Sequence, residues 1–152
     1  MMMSKFLLLL SSGTLGIFLG AQIAEAVLFV PYWKALSAND FFKLHQNYGK
    51  KIYQFFAPLT ILATVIPLVA VVYNLIYQSK EQVILGLMGV STLLFFSTYF
   101  LYFKKANKSF TDSSLSNEEL PTELVKWGNW HWGRIFFEFI AFSCSLFLLL
   151  KI

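Results

Sequence analysis

Four apolar runs dominate this chain, at residues 6–30, 52–77, 83–103 and 135–150. A hydrocarbon layer is crossed by roughly 20 apolar residues in helical form. Inside lipid, only a helix or a closed barrel satisfies every backbone N–H and C=O group. Unbroken runs of this length lack the two-residue alternation of barrel strands, so they select helices. Charged residues make up 13% of the chain, against about 25% in soluble domains. The expected fold is all-α, a transmembrane four-helix bundle with up-down-up-down topology, in one domain spanning residues 1–152.

The fourth run is short, so its helix should start near Pro121 or Thr122 and span about 123–150. Pro suits a first helical turn, and Ser116-x-x-Glu119 just upstream has the spacing of a capping box. The second helix should likewise start near residue 40, capped by Asn39 or Asp40, and carry His45 above the membrane. Pro58 and Pro67 inside it predict a bend, not a break. Lys5, a leucine run and Ala24-Glu25-Ala26 imitate a signal peptide, but apolar residues continue through Val30, as in a retained span. Gly13, Gly16 and Gly20 in the first segment, and Gly86 and Gly89 in the third, suit close packing against other helices.

Four crossings put both termini on one side and two connections, 31–39 and 104–122, on the other. Nine basic residues (Lys34, Lys43, Lys50, Lys51, Lys104, Lys105, Lys108, Lys126 and Arg134) lie on the two-loop side, against Lys5, Lys80 and Lys151 opposite. By the positive-inside rule the two-loop side is expected to be cytoplasmic and both termini outside, with a bacterial inner or cell membrane as the setting.

Polar residues collect at that same end. Glu25 closes the first span, His45 opens the second, Asn107 follows the third, and the fourth begins Trp127-Gly-Asn-Trp130-His131-Trp132-Gly-Arg134, with Glu138 one turn on. Helical spacing puts Trp127, His131, Arg134 and Glu138 on one face. Ionisable residues in spans are costly and mark partners, cavities or sites. The opposite end has Lys5, Asn74, Gln78, Lys80, Glu81 and Lys151, ordinary terminal and turn residues.

Plainer explanations exist for several of these side chains. Trp130 and Trp132 fit an interfacial belt, His45 has wet neighbours, and Arg134 could pair with Glu138 or Glu25 for structure alone. Glu25, His45, His131 and Glu138 could supply a metal with two imidazoles and two carboxylates. However, Gly128 and Phe42 stand where a Glu-x-x-His pair would need Glu, and neither His lies in a haem motif. No cofactor is therefore expected, with a metal- or haem-binding four-helix membrane protein as the alternative reading. Cys144 is the only cysteine, which excludes a paired-thiol redox centre. No phosphate-binding glycine motif is present, and the net charge of +4 needs no nucleic acid, since juxtamembrane lysines attract lipid head groups.

Trp127-x3-His131-x2-Arg134, the stretch Lys105-Ala-Asn107-Lys108, and a first span ending at Pro31 that leads to Phe42-x-x-His45-x-x-Tyr48 together resemble the anthrone oxygenase-like family of small four-helix membrane proteins. Characterised members oxidise the activated methylene of polycyclic anthrones with dioxygen, and most members have no assigned activity. The resemblance implies His131 as general base with His45 second, and Arg134 stabilising the resulting anion. Trp127, Trp130, Asn107, Tyr48 and Glu25 would hold a small hydrophobic substrate. Glu25 and Glu138 within spans depart from the commoner pattern. Besides lipid and substrate, an oligomer or a partner membrane subunit is compatible with the glycine faces, as in an assembly, scaffold or transport component.

Overall fold

The computed structural model describes residues 2–77 and 81–151; Gln78 and Lys80 lie outside the described residues. Four long helices account for nearly all of it: α1 (Met2–Ala35), α2 (Ala38–Tyr77), α3 (Gln82–Thr111) and α4 (Glu119–Lys151). Each is long and apolar enough to cross a membrane. α1 packs on α2 and α4, and α3 on α2 and α4, which is the closed square of an antiparallel bundle. Large apolar side chains such as Ile17, Val69 and Phe136 are exposed at mid-helix. A soluble monomer rarely presents so much apolar surface, whereas a lipid-facing bundle must. The chain is an integral membrane protein.

Both helices that were expected to stop at the membrane surface run further. α1 continues through Pro31 to Ala35, and α3 continues past Phe103 to Thr111, so the connections are shorter than 31–39 and 104–122. Each extension is preceded by a π-helical turn, Glu25–Phe29 in α1 and Tyr99–Phe103 in α3. In α1 the wider turn lies where the proline ring and its missing N–H would otherwise disrupt the α-helical ladder.

The caps also resolve. α2 is started by Ser37, not by Asn39 or Asp40: the Ser37 hydroxyl accepts from the Asp40 N–H at 3.2 Å and donates to the Asp40 carboxylate at 2.6 Å. At α4 the capping box forms, with the Ser116 N–H on Glu119 Oε2 at 2.8 Å and the Glu119 N–H on Ser116 Oγ at 3.2 Å. The helix therefore begins at Glu119, ahead of Pro121. α2 runs unbroken through Pro58 and Pro67.

The interior is layered. One apolar core fills the membrane half, with Leu15, Phe18, Ala63, Met88, Phe95 and Ala141. A second, largely aromatic core fills the two-loop end, with Trp33, Phe41, Phe103, Phe110 and Trp127. Along α1 and α4, the residues between these cores are Gln22 and Glu25, and His131, Arg134 and Glu138, all buried but for the half-buried Arg134. Of the glycines, Gly16 meets another helix most tightly, a Cβ there standing 3.1 Å from Phe142, and Gly89 follows at 3.4 Å from Val71. Among the described residues nothing lies within 4 Å at Gly13, Gly20 or Gly86, so no close helix contact among them uses the first-segment glycine face as a whole.

Candidate functional site

The polar layer is built by α1 and α4 and centred on Gln22. Its side-chain Oε1 accepts from Arg134 Nε at 2.6 Å, and its Nε2 donates to Glu138 Oε2 at 2.8 Å. Its backbone carbonyl lies 2.9 Å from His131 Nε2. Arg134 Nη2 lies 3.0 Å from His131 Nδ1. A guanidinium has only donors and a carbonyl only accepts, so the pattern assigns one tautomer: Nε2–H donates to Gln22 and Nδ1 accepts from Arg134. Both imidazole nitrogens are thereby occupied, and His131 is fully buried.

Arg134 is the hub of the charges. Glu25 Oε2 lies 3.9 Å from its Nη2 and 3.7 Å from His131 Nε2. Among the described residues, Glu25 is the only carboxylate within salt-bridge range of Arg134; Glu138 is reached through the Gln22 amide. The guanidinium carbon also stands 4.4 Å from the Phe103 ring centroid, a cation–π contact supplied by the π-helical turn of α3. Glu138 Oε1 is buried with no hydrogen-bond partner among the described residues.

Above this layer the aromatic core clamps two histidines differently. Trp127 stacks on His131 with centroids 4.8 Å apart, and its Nε1 donates to Asn107 Oδ1 at 2.9 Å. His45 packs against Phe41 at 4.1 Å and edge-on to Trp33 at 5.3 Å. Its Nδ1 donates to the Phe41 carbonyl at 3.1 Å, and among the described residues Nε2 has no hydrogen-bond partner.

A cavity of about 610 Å³ opens beside these groups, between α2 and α3 at the two-loop end. That is an ordinary size for a small-molecule site. Glu25, His45, Asn107, Trp127 and Arg134 all line it, together with Trp33 and Phe110. Three residues expected at the site stand elsewhere. His131 is behind the wall; Trp130 is stacked on Tyr102 at 5.1 Å; and Tyr48 is half exposed, with the Lys51 ammonium over its ring at 5.4 Å. Trp132 is exposed on the outer face.

Gln22, Trp33 and Phe103 were not anticipated. Gln22 carried a signal, since it is a lone amide in an apolar run three residues before Glu25 and so on the same face. Trp33 depends on α1 running beyond its apolar segment, which hydropathy does not show, and Phe103 closes the third apolar run, where hydropathy does not say which way a ring faces.

Among the described residues no three His, Cys, Asp or Glu side chains gather as a donor set for a metal ion. Glu25 and His131 come closest, but the Arg134 guanidinium stands between their roles and would repel a cation. Neither ring nitrogen of His131 is left to ligate haem iron. A comparison of the chain with family models, curated proteins and solved structures finds no match.

Proposed function

We propose that this protein binds a small, flat, hydrophobic molecule in the cavity between α2 and α3 and removes a proton from it, as the first step of an oxygenase-like oxidation. The observation that carries this reading is the position of His45: an imidazole with Nδ1 tied to a carbonyl, lining an aromatic-walled cavity that Glu25 and Arg134 also line. An imidazole in that tautomer is a base at Nε2. A guanidinium fixed in a water-poor site stabilises the enolate-like anion that forms. Trp33, Phe110 and Trp127 supply faces and edges for a planar ring.

The family resemblance supplies the rest of the scheme. Loss of the proton leaves an electron-rich carbanion; dioxygen adds to that carbon; and loss of water turns the CH2 group into a ketone. The substrate provides the electrons and dioxygen is the only co-reactant required. His131, which the resemblance makes the base, acts here through Arg134 as a positioning residue, because both its nitrogens hold the network together. The distribution of basic residues supports a cytoplasmic setting for this end.

The test is oxidation of anthrone by the detergent-purified chain, followed as dioxygen uptake and appearance of the quinone. His45→Ala should lower turnover by about 10²–10⁴-fold. Equal rates with and without protein would remove the oxygenase reading and leave the polar layer as a brace between α1 and α4.

A further inference from the structure

The cavity is longer than the ring-binding end requires. On α2 its wall runs from Gly49 and Lys50 through Tyr53 and Phe56 to Ile61, and on α3 from Lys108 back to Phe96. Twelve residues on each helix amount to about 18 Å of rise. The polar groups that would engage a head, Glu25, His45, Asn107 and Arg134, are all at the two-loop end. The remainder of the wall, through Phe56, Ala57, Ile61, Phe96 and Phe100, is apolar apart from the hydroxyls of Tyr99 and Thr60. The Thr60 hydroxyl is turned onto the Phe56 carbonyl at 2.9 Å.

The lower half is also open on one side. Tyr53, Ile61 and Phe100 line the cavity and are at the same time 62%, 56% and 61% exposed. Their exposed surface belongs to the lipid-facing side of apolar spans, so the opening gives onto the acyl layer and not onto water. At the upper rim, Lys50 and Lys104 line the same cavity and have no carboxylate partner among the described residues. With Arg134 inside, the head end favours a group carrying or developing negative charge.

From this geometry, and resting on the function proposed above, we infer that the ligand is a membrane-dissolved amphiphile. Its flat, oxygen-bearing head sits against Arg134 and His45, and a single hydrocarbon tail leaves between Ile61 and Phe100 into the bilayer. The tail gains little free energy by exchanging lipid for the groove, because acyl chains are as apolar as the walls. The opening therefore acts sterically: it lets the tail stay in the acyl layer while the head reaches the polar end.

The test uses the full chain in nanodiscs and two probes, anthrone and anthrone bearing a twelve-carbon alkyl chain. Binding is read by quenching of tryptophan emission, since Trp33 and Trp127 stand in the wall. Ile61→Trp fills the side opening from a lipid-facing position, and Val65→Trp, one turn on, exposed and off the cavity, is the control. Ile61→Trp should weaken the tailed probe at least tenfold and the untailed probe less than twofold, with Val65→Trp changing neither. Membrane partition of the probes is common to all discs and does not enter these ratios. Equal effects of Ile61→Trp on both probes, or none on either, overturns the tail path while ring binding stands. A dodecanol competitor that displaces the tailed probe as well as anthrone-dodecyl itself, with no binding of anthrone, keeps the tail path but removes the ring reading. No binding of either probe to the unsubstituted chain overturns both.

Discussion

Gln22 and Glu138 meet in the buried interior of the bundle, amide Nε2 to carboxylate Oε2 at 2.8 Å, and this contact ties α1 to α4. The same amide presents its oxygen to Arg134, so one uncharged side chain bridges a guanidinium Nε and one oxygen of a carboxylate. Replacing it with an apolar residue of similar size orphans two charged groups. An orphaned buried partner costs about 1–3 kcal/mol, although hydrogen bonds within membranes average only about 0.6 kcal/mol. Gln22→Leu should therefore lower stability by about 2 kcal/mol, read from equilibrium unfolding in mixed detergent micelles. A change below about 0.5 kcal/mol would mean that the layer is hydrated and the network is not what holds the helices.

The two histidines should separate stability from turnover. His131 is fully buried under Trp127 with both nitrogens bonded, so His131→Ala opens a cavity, removes a donor from the Gln22 carbonyl and orphans an Arg134 N–H. A cost of about 2–4 kcal/mol follows. His45 has one backbone bond and faces the cavity. His45→Ala should be the milder change in unfolding but reduce anthrone oxidation by about 10²–10⁴-fold, the usual range for a lost general base. Added imidazole should restore part of the rate to His45→Ala and none to His131→Ala; rescue of His131→Ala alone would return the base role to His131.

What could be read from the sequence is the part set by hydropathy and periodicity. The four spans, the shared face of Trp127, His131, Arg134 and Glu138, and the gathering of Glu25, His45 and Asn107 at the same end all follow from apolar run length and the 3.6-residue repeat. The depth of each side chain was not legible. His131 and Arg134 lie on one face, yet only Arg134 reaches the cavity, because Trp127 and the Gln22 carbonyl cover the imidazole. Of the two π-helical turns only that of α1 has a sequence mark, Pro31 just beyond it; the turns lie where α1 and α3 continue and where Trp33 and Phe103 come to the site.

Glycines in one segment should respond in opposite senses. At Gly16 a Cβ would come within 3.1 Å of the Phe142 ring edge, while at Gly20 it would meet nothing within 4 Å. Gly16→Leu forces α1 away from α4 and should cost about 1–3 kcal/mol, the usual penalty for overpacking. Gly20→Ala replaces the poorest non-proline helix former with the best and should be neutral or stabilising by up to about 1 kcal/mol. Both are measurable as shifts in thermal unfolding in detergent. A large loss at Gly20 would point to a partner helix on that face, to be checked by cross-linking.

Arg134 tests whether charge alone is enough. Its Nε and Nη2 hold Gln22 Oε1 and His131 Nδ1 while the same plane lies near Glu25 and over Phe103. Lysine keeps the charge but has a single compact ammonium that cannot hold these directions together. Arg134→Lys should lose one or two of the bonds, costing about 1–2 kcal/mol of stability, and should slow anthrone oxidation about tenfold if the fixed guanidinium stabilises the anion. Arg134→Leu removes the guanidinium beside Glu25 and should cost more, about 3–5 kcal/mol as in other broken buried pairs. Unfolding curves and oxidation rates for the two variants decide between the roles. A lysine variant with unchanged rate and the leucine variant with none would reduce Arg134 to a point charge, whereas unchanged rates in both would take it out of the chemistry and leave it as the pin of the α1–α4 interface.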